Sequence, residues 1–354
     1  MSSSAQQAAD GDSGPDMSGL MAPVFGYAFF QIAHTAASVG VPEAIGESPA
    51  TVEEIAAATR TDPAHLSRLL RSAAAAGLLT LREGGRYEVT ALGRLLREDS
   101  PSQVKHMMAL HAAPAVWQAW ARLEESVRTG RPAFELAHGA DLFDHLETDP
   151  ELAQTFHRAM AASTSTQIPA LVAHYDFGDF TEVVDLAGGN GTHLAAILAA
   201  DDRISGTLAD TAQGLSEASS VLGEAGVADR CTTAVSDVFE SVPAGRDLYL
   251  LKNVLPDWDD ESCTRILRNC REAMAPGGAV KIIASLVPED PRTIDGGQMT
   301  ALSFFDISLM TLTSGRERTL GEYEELLAKA GLRLREAAPI PDTAMYHEVT
   351  ALAA

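Results

Sequence analysis

The stretch that most constrains this chain is residues 183–191, Val-Val-Asp-Leu-Ala-Gly-Gly-Asn-Gly. Two β-branched residues run into Asp185. Gly188, Gly189 and Gly191 follow, and residues 192–200 read as helix. Strand, tight glycine turn and helix form the opening unit of a nucleotide-type α/β fold. Glycines permit steep backbone turns and let a ligand come close to the main chain. Asp185 stands where the strand ends, so its carboxylate is expected to face the crevice above the sheet.

The turn lacks the glycine spacing of a dinucleotide fingerprint, and it has no Lys-Ser/Thr pair of a nucleotide-triphosphate loop. A carboxylate at the strand end repels phosphates and suits an ammonium or a hydroxyl. S-adenosylmethionine (SAM) has an amino acid end and no phosphate, and it fits. Another nucleotide or a purely structural glycine turn remain the alternatives at this point.

The chain has 354 residues, enough for a sizeable core and two domains. Its net charge of −23 argues against phosphate-backbone binding, so no nucleic acid partner is expected. Cys231, Cys263 and Cys270 form neither a metal-ligand spacing nor a disulfide framework. No apolar run suggests a membrane span and no signal peptide is read, so no membrane partner is expected and the cytoplasm is the default compartment.

Residues 1–17, rich in Ser, Ala, Gly and Asp, read as disordered. From Leu20 to about Val41 the chain is apolar on all sides, which suits a helix buried against a partner, including a second subunit. His34 there reads as a packed polar residue or a catalytic one. Thr51 and Glu54 form a capping box for a helix over 51–59. A second helix runs from His65 to Ala76 and stops at Gly77. Residues 78–81, the Gly84-Gly85 turn and 86–89 read as a hairpin. Two short helices and a β-wing make a winged-helix module. DNA binding is the obvious reading, but only Arg68 and Arg71 serve the second helix and its flanks are acidic. Dimerisation or a substrate-lid role fits better.

Residues 101–175 read as mostly helical. Met107, Met108, Leu110, His111, Trp117 and Trp120, then Phe134, Phe143, Phe156 and Met160, form either ordinary core or the wall of a pocket for a flat organic molecule. His111 and His157 are candidate polar groups in such a pocket. From Glu182 strands and helices alternate: strands at 182–186, 204–209, 231–235, 247–252 and 279–285, helices at 192–200, 215–225, 260–274 and about 320–330, and last strands in 333–354. That pattern is an open, mostly parallel sheet.

In such sheets the ligand lies across the carboxyl ends of the strands. Asp185 is at the first. Asp210 ends the second and can accept from both ribose hydroxyls. Asp237 ends the third; it can accept from an adenine amine while Val238 and Phe239 pack on the ring. Lys252, at the fourth, can reach a carboxylate or a carbonyl. A single strand-end Asp is often a helix cap or turn former. Three in succession favour a ligand.

Residues 250–261, Leu-Leu-Lys-Asn-Val-Leu-Pro-Asp-Trp-Asp-Asp-Glu, are more specific than any glycine turn. With residues 183–191 they resemble the SAM-dependent small-molecule O-methyltransferases of plant phenylpropanoid and bacterial polyketide pathways. The likeness continues in Gly130-Arg131-Pro132-Ala133-Phe134, in 306–310, in Gly315-Arg316-Glu317-Arg318-Thr319 and in Ala330-Gly331. It covers about residues 18 to 350. The resemblance implies an α/β Rossmann-like SAM-binding domain with an N-terminal all-helical, winged-helix-like dimerisation domain, in an intertwined homodimer acting on a small aromatic molecule. It divides the chain into a tail (1–17), a dimerisation domain (18–100), a helical linker and substrate-pocket region (101–178) and a SAM-binding catalytic domain (179–354). It also implies that Gly189 and its neighbours touch the methionine end, Asp210 the ribose, Asp237 and Val238 the adenine side, and Lys252 the adenosyl or methionine portion.

One departure matters. The resemblance places a general-base His where this chain has Pro256, and often a His-orienting Glu near Ser285. Proline has no acid–base group and no N–H. The Asp257 and Glu317 counterparts remain. His111, His157 and Asp306 are candidates for a substitute polar group. Asp257 reads as structural or substrate-orienting, since a solvated Asp titrates near about 3.9. Three functions stay open: methylation of oxygen, nitrogen or carbon on an aromatic natural-product intermediate with little or relocated proton assistance; non-methyl chemistry with bound SAM, such as hydroxylation, decarboxylation or rearrangement; or a non-catalytic binding partner.

Overall fold

The computed structural model describes residues 17–178, 180–343 and 345–354. Residues 1–16 of the expected disordered tail lie outside the described residues, and Met17 already belongs to a helix. The chain divides into two units, residues 1–100 and 101–354.

In the first unit, helices span Met17–Ser38, Val41–Ile45, Val52–Thr59 and Pro63–Ala75. The capping box forms: Glu54 N donates to Thr51 Oγ1 at 3.3 Å, and Thr51 N donates to Glu54 Oε2 at 2.8 Å. Ile55, Leu66 and Leu70 bury the apolar faces of the third and fourth helices. Strands β1 (Leu79–Arg82) and β2 (Arg86–Val89) pair antiparallel, so the unit is helical with a two-stranded wing rather than wholly helical. Helix Met17–Ser38 exposes Val24, Phe25, Tyr27 and Phe29.

The second unit holds a seven-stranded sheet. Its strands are β3 (Glu182–Leu186), β4 (Ser205–Asp210), β5 (Cys231–Val235), β6 (Leu248–Lys252), β7 (Ala279–Ser285), β8 (Leu332–Pro339) and β9 (Tyr346–Ala353). Their order is β5-β4-β3-β6-β7-β9-β8. The first five are parallel; β9 runs antiparallel to β7 and to β8. Strand side chains alternate between faces. Val183, Leu248 and Leu250 therefore pack with Leu194, Ile197 and Leu198 of helix Thr192–Ala200. Val184, Leu186, Tyr249, Leu251, Val280 and Ile282 pack on the other side, with Cys263, Ile266 and Leu267 of helix Asp260–Ala273 and with Tyr323, Leu326 and Leu327 of helix Leu320–Lys329. Burial on both faces explains the near-continuous apolar strands. The strand order reverses at β3, between β4 and β6, which puts the switch-point crevice at the ends of β3 and β6.

Helices also span Val104–Ala112, Pro114–Trp120, Leu142–Thr148 and Pro150–His174. Leu110 and Phe134 are core, with Met107, Trp120, Phe143 and Phe156 packed against the same cluster, while Trp117 and Met160 are exposed. Helix Gly296–Leu312 was not anticipated from the pattern; Asp295 caps it by accepting from Gly297 N and Gln298 N.

Candidate active site

The glycine turn after β3 is built by its own close contacts. A Cβ on Gly188 would lie 2.6 Å from Leu208 Cδ1 and 2.7 Å from Asp185 Oδ2. Gly189 and Gly191 have φ of +61° and +82°, in the left-handed region that glycine tolerates. Gly189 N donates to Asp210 Oδ2 at 2.7 Å, tying the turn to the end of β4. Asp185 is buried to 1% exposure, so it faces the underside of the turn rather than open crevice. Its Oδ2 has no hydrogen-bond partner in the protein. An orphaned buried acceptor beside a side-chain-free backbone suits a ligand that brings a donor, so the residues fit the amino acid end of SAM.

Lys252 sits at the end of β6. Its Nζ donates to Thr164 Oγ1 at 3.3 Å and lies 5.8 Å from the Tyr346 ring centre. Burial pulls its pKa down to about 8, with the Asp185 charge opposing. Asp237 lies two residues beyond the end of β5, and its Oδ1 accepts from Phe239 N at 2.8 Å. That turn presents Phe239 to Trp258, ring centres 4.7 Å apart and edge to face; Phe143 stacks on Trp258 at 4.8 Å. Val238 is partly buried on the same side.

A carboxylate cluster, with Glu317 buried and Asp257 and Asp306 half-buried, stands beside the turn that carries Pro256. Leu255–Asp257 form a single 3-10 turn in which Pro256 is buried. Burial lifts Asp257 to about 7, which corrects the expectation of a solvated Asp with an ordinary pKa. Glu317 is lifted to about 8 by burial first, then by the charges of Asp306 and Asp257, with Arg318 opposing. Glu317 N donates to Asp306 Oδ1 at 2.9 Å, and Glu317 Oε2 is buried without a partner. Arg318, fully buried, holds the whole turn. It donates from Nη1 to the Leu255 carbonyl at 3.0 Å, from Nη2 to the Trp258 carbonyl at 2.7 Å, and to Asp260 Oδ1 from Nε and Nη2 at 3.0 and 2.8 Å.

The structure thus brings Asp257 and Asp306 together, through Glu317. His111 lies against Phe304 of the same helix as Asp306, ring centres 5.8 Å apart, and burial lowers its pKa. His157 lies elsewhere. It lines a groove of about 200 Å³ with Asn190, Gln213, Gly214 and Glu217; burial lowers its pKa, opposed by the charges of Asp210 and Glu217. That places it on the cofactor side. Sequence reasoning did not single out Tyr175 and His193, whose ring contacts lie beneath Asp185; the His two residues past Gly191 was the available signal.

A mostly parallel sheet with an antiparallel edge pair, an acidic glycine turn at the switch point and an orphaned carboxylate beneath it are the arrangement of a SAM-dependent methyltransferase. Residues 120–333 match the O-methyltransferase domain, and residues 21–99 match the O-methyltransferase dimerisation domain. The chain belongs to the O-methyltransferase family. It is similar to the mitomycin biosynthesis 6-O-methyltransferase of Streptomyces lavendulae, 37% identical over 307 residues, covering 86% of each chain. It is also similar to an O-methyltransferase of neocarzinostatin biosynthesis solved with SAM and 2-hydroxy-5-methyl naphthoic acid. That structure matches with a TM-score of 0.79 at 32% identity, over 92% of this chain and 96% of that one. The aclacinomycin 10-hydroxylase RdmB of Streptomyces purpurascens is 34% identical over 287 residues, 80% of this chain and 76% of its own.

Proposed function

We propose that this methyltransferase acts on a hydroxyl or amino group of an aromatic, polycyclic natural-product intermediate, and that the carboxylate cluster takes the proton the usual His would take. The observation that carries this reading is Glu317: a buried, partnerless oxygen, held by its own N–H to Asp306, next to the turn of Pro256 and Asp257. When bound, SAM supplies an electrophilic methyl on its sulfonium. Asp185 and the Gly188–Gly189 backbone hold its amino acid end, Asp210 its ribose, Asp237 and Val238 its adenine side, and Lys252 bounds the pocket at β6. Glu317, with Asp257 coupled to it, accepts the proton of the attacking O–H or N–H, since a base with a pKa near the working pH is the effective one. Asp306 orients Glu317. Phe304 and the Trp258–Phe143 stack offer flat apolar surface to a ring system.

The same reading takes the protein as a homodimer joined through helix Met17–Ser38, whose exposed Phe25, Tyr27 and Phe29 need cover, and as cytoplasmic. A helix long and apolar enough to cross a membrane is absent among the described residues.

A second reading, non-methyl chemistry with SAM retained, is favoured by Pro256 and by the hydroxylase among the relatives. Incubation of the protein with methyl-labelled SAM and a panel of hydroxylated and aminated polycyclic aromatics separates the two. Labelled product with one S-adenosylhomocysteine released per turnover supports methyl transfer. Substrate conversion with SAM left intact supports the second reading.

A further inference from the structure

Beneath the glycine turn, Tyr175 and His193 meet at 2.8 Å, phenol oxygen to Nε2. The other imidazole nitrogen, Nδ1, lies 3.8 Å from Asp185 Oδ2. Both of these facing atoms are buried and have no hydrogen-bond partner, and the two side chains are 4% and 2% exposed. His193 is held there by its place in the first turn of helix Thr192–Ala200, and Tyr175 by its place just past helix Pro150–His174. The three side chains thus come from three elements and meet beneath the glycine turn.

We infer that Tyr175 and His193 are positioning residues for Asp185, and that this row of three groups sets affinity for the amino acid end of SAM without taking part in methyl transfer. The inference rests on the proposed role of Asp185 in holding that end.

The electrostatics fix the direction of the row. If Nδ1 lacked a proton, its lone pair would face a carboxylate, which is repulsive. A neutral ring therefore carries its proton on Nδ1 and accepts at Nε2 from the Tyr175 hydroxyl. Burial, with the charges of Asp185 and Glu348, holds the Tyr175 phenol well above its usual range, so it remains a donor. An ionised carboxylate at 1% exposure needs compensating dipoles or charges. His193 offers the Nδ1 proton from below, and Lys252 offers its charge from β6. The Nδ1–Oδ2 separation of 3.8 Å is too long for a hydrogen bond, so His193 acts on Asp185 through the Nδ1–H dipole and leaves Oδ2 open to a donor that the ligand brings. Orientation of Asp185 is then decided before the ligand arrives, which reduces the ordering cost of binding.

The test is calorimetric titration of the full-length protein with S-adenosylhomocysteine, alongside steady-state kinetics at varied SAM. Removing an N–H dipole that faces a buried carboxylate should make His193→Ala weaken S-adenosylhomocysteine about 10-fold, with kcat at saturating SAM within about two-fold of wild type. His193→Gln, which keeps a donor in place, should restore most of the affinity. Tyr175→Phe preserves the packing and should weaken binding about three-fold by releasing the tautomer. In an Asp185→Asn background, His193→Ala should have no further effect, whereas a merely structural role would add. Should Asp185→Asn itself bind like wild type, the assigned role of Asp185 is wrong and the inference goes with it. Should Asp185→Asn weaken binding while His193→Ala and Tyr175→Phe both bind like wild type, only the inference is overturned.

Discussion

Arg318 Nη2 donates to the Trp258 carbonyl at 2.7 Å, and it does so from a side chain with no exposure at all. With the bond to Leu255 O, the guanidinium bridges both ends of the turn that holds Pro256 and Asp257. A lysine has a single nitrogen and cannot reproduce that fork. Arg318→Lys should destabilise the fold by about 3 kcal/mol, because a buried ammonium cannot serve the Leu255 and Trp258 carbonyls and Asp260 at once. Chemical denaturation measures it. A loss below about 1 kcal/mol would show that the turn holds without the fork.

Gly188 has no room for a side chain. A Cβ there would stand 2.6 Å from Leu208 Cδ1 and 2.7 Å from Asp185 Oδ2, so Gly188→Ala must push the carboxylate aside. Affinity for S-adenosylhomocysteine should fall about 10-fold or more while the far-UV spectrum stays native. Unchanged affinity would remove Asp185 from the cofactor site.

The elements that carry the proposed cofactor side were legible in the sequence because they are local. The glycine turn, Asp185 and Asp210 each sit at or next to a strand end, and short continuous apolar runs closed by a polar or glycine residue mark those ends. Asp237 does not end β5 itself; the strand stops at Val235 as read, and the Asp stands two residues on, in the following turn. On the proposed proton-accepting side the residues were legible, since the resemblance already marked Asp257, Asp306 and Glu317, but their raised pKa values were not. Glu317 acquires its character from Asp257, 60 residues away in sequence, and from burial, neither of which any local pattern encodes. Helix Gly296–Leu312, which carries Asp306, is apolar around most of its circumference, so no amphipathic stripe announced it.

The raised carboxylates predict a pH dependence. A base must be ionised to accept a proton, and Glu317 at about 8 and Asp257 at about 7 are protonated in mild acid. Turnover should therefore climb from pH 6 to above pH 8, as one coupled titration. Glu317→Gln should lower kcat by about 100-fold and flatten the climb. A full climb retained in Glu317→Gln would assign the proton elsewhere, with Asp257→Asn the next variant to profile.

The same group shapes stability in the opposite sense. An unfolded Glu titrates near about 4.3, and the folded-state value for Glu317 is about 8. The folded state thus binds the proton more tightly, so this contribution to stability is complete below the unfolded value and is lost as pH rises through the folded one. Glu317→Gln carries no charge to bury. Its melting temperature relative to wild type should rise between pH 5.5 and pH 8.5, by about 4 °C or more. A difference that shrinks with pH would contradict the burial of an ionised Glu317.

On the resemblance, Pro256 stands where the usual base is expected, and in the proposed site the surroundings for a base are still present. It is buried, it precedes Asp257 in the same 3-10 turn, and Gly315 packs so closely on its carbonyl that a Cβ there would lie 1.8 Å from it. The backbone of the turn is therefore fixed by Gly315 and Arg318, not by the proline ring. Pro256→His should keep the turn, bring an imidazole next to the carboxylate cluster, and raise O-methylation of phenolic substrates about 10-fold near pH 7, where a neutral His is a competent base. The gain should be smaller for substrates whose hydroxyl is already ionised, because they need no base. Product formation from a matched pair of weakly and strongly acidic phenols measures this directly. If both phenols bind normally and neither reacts faster, position 256 is not where the missing base belongs.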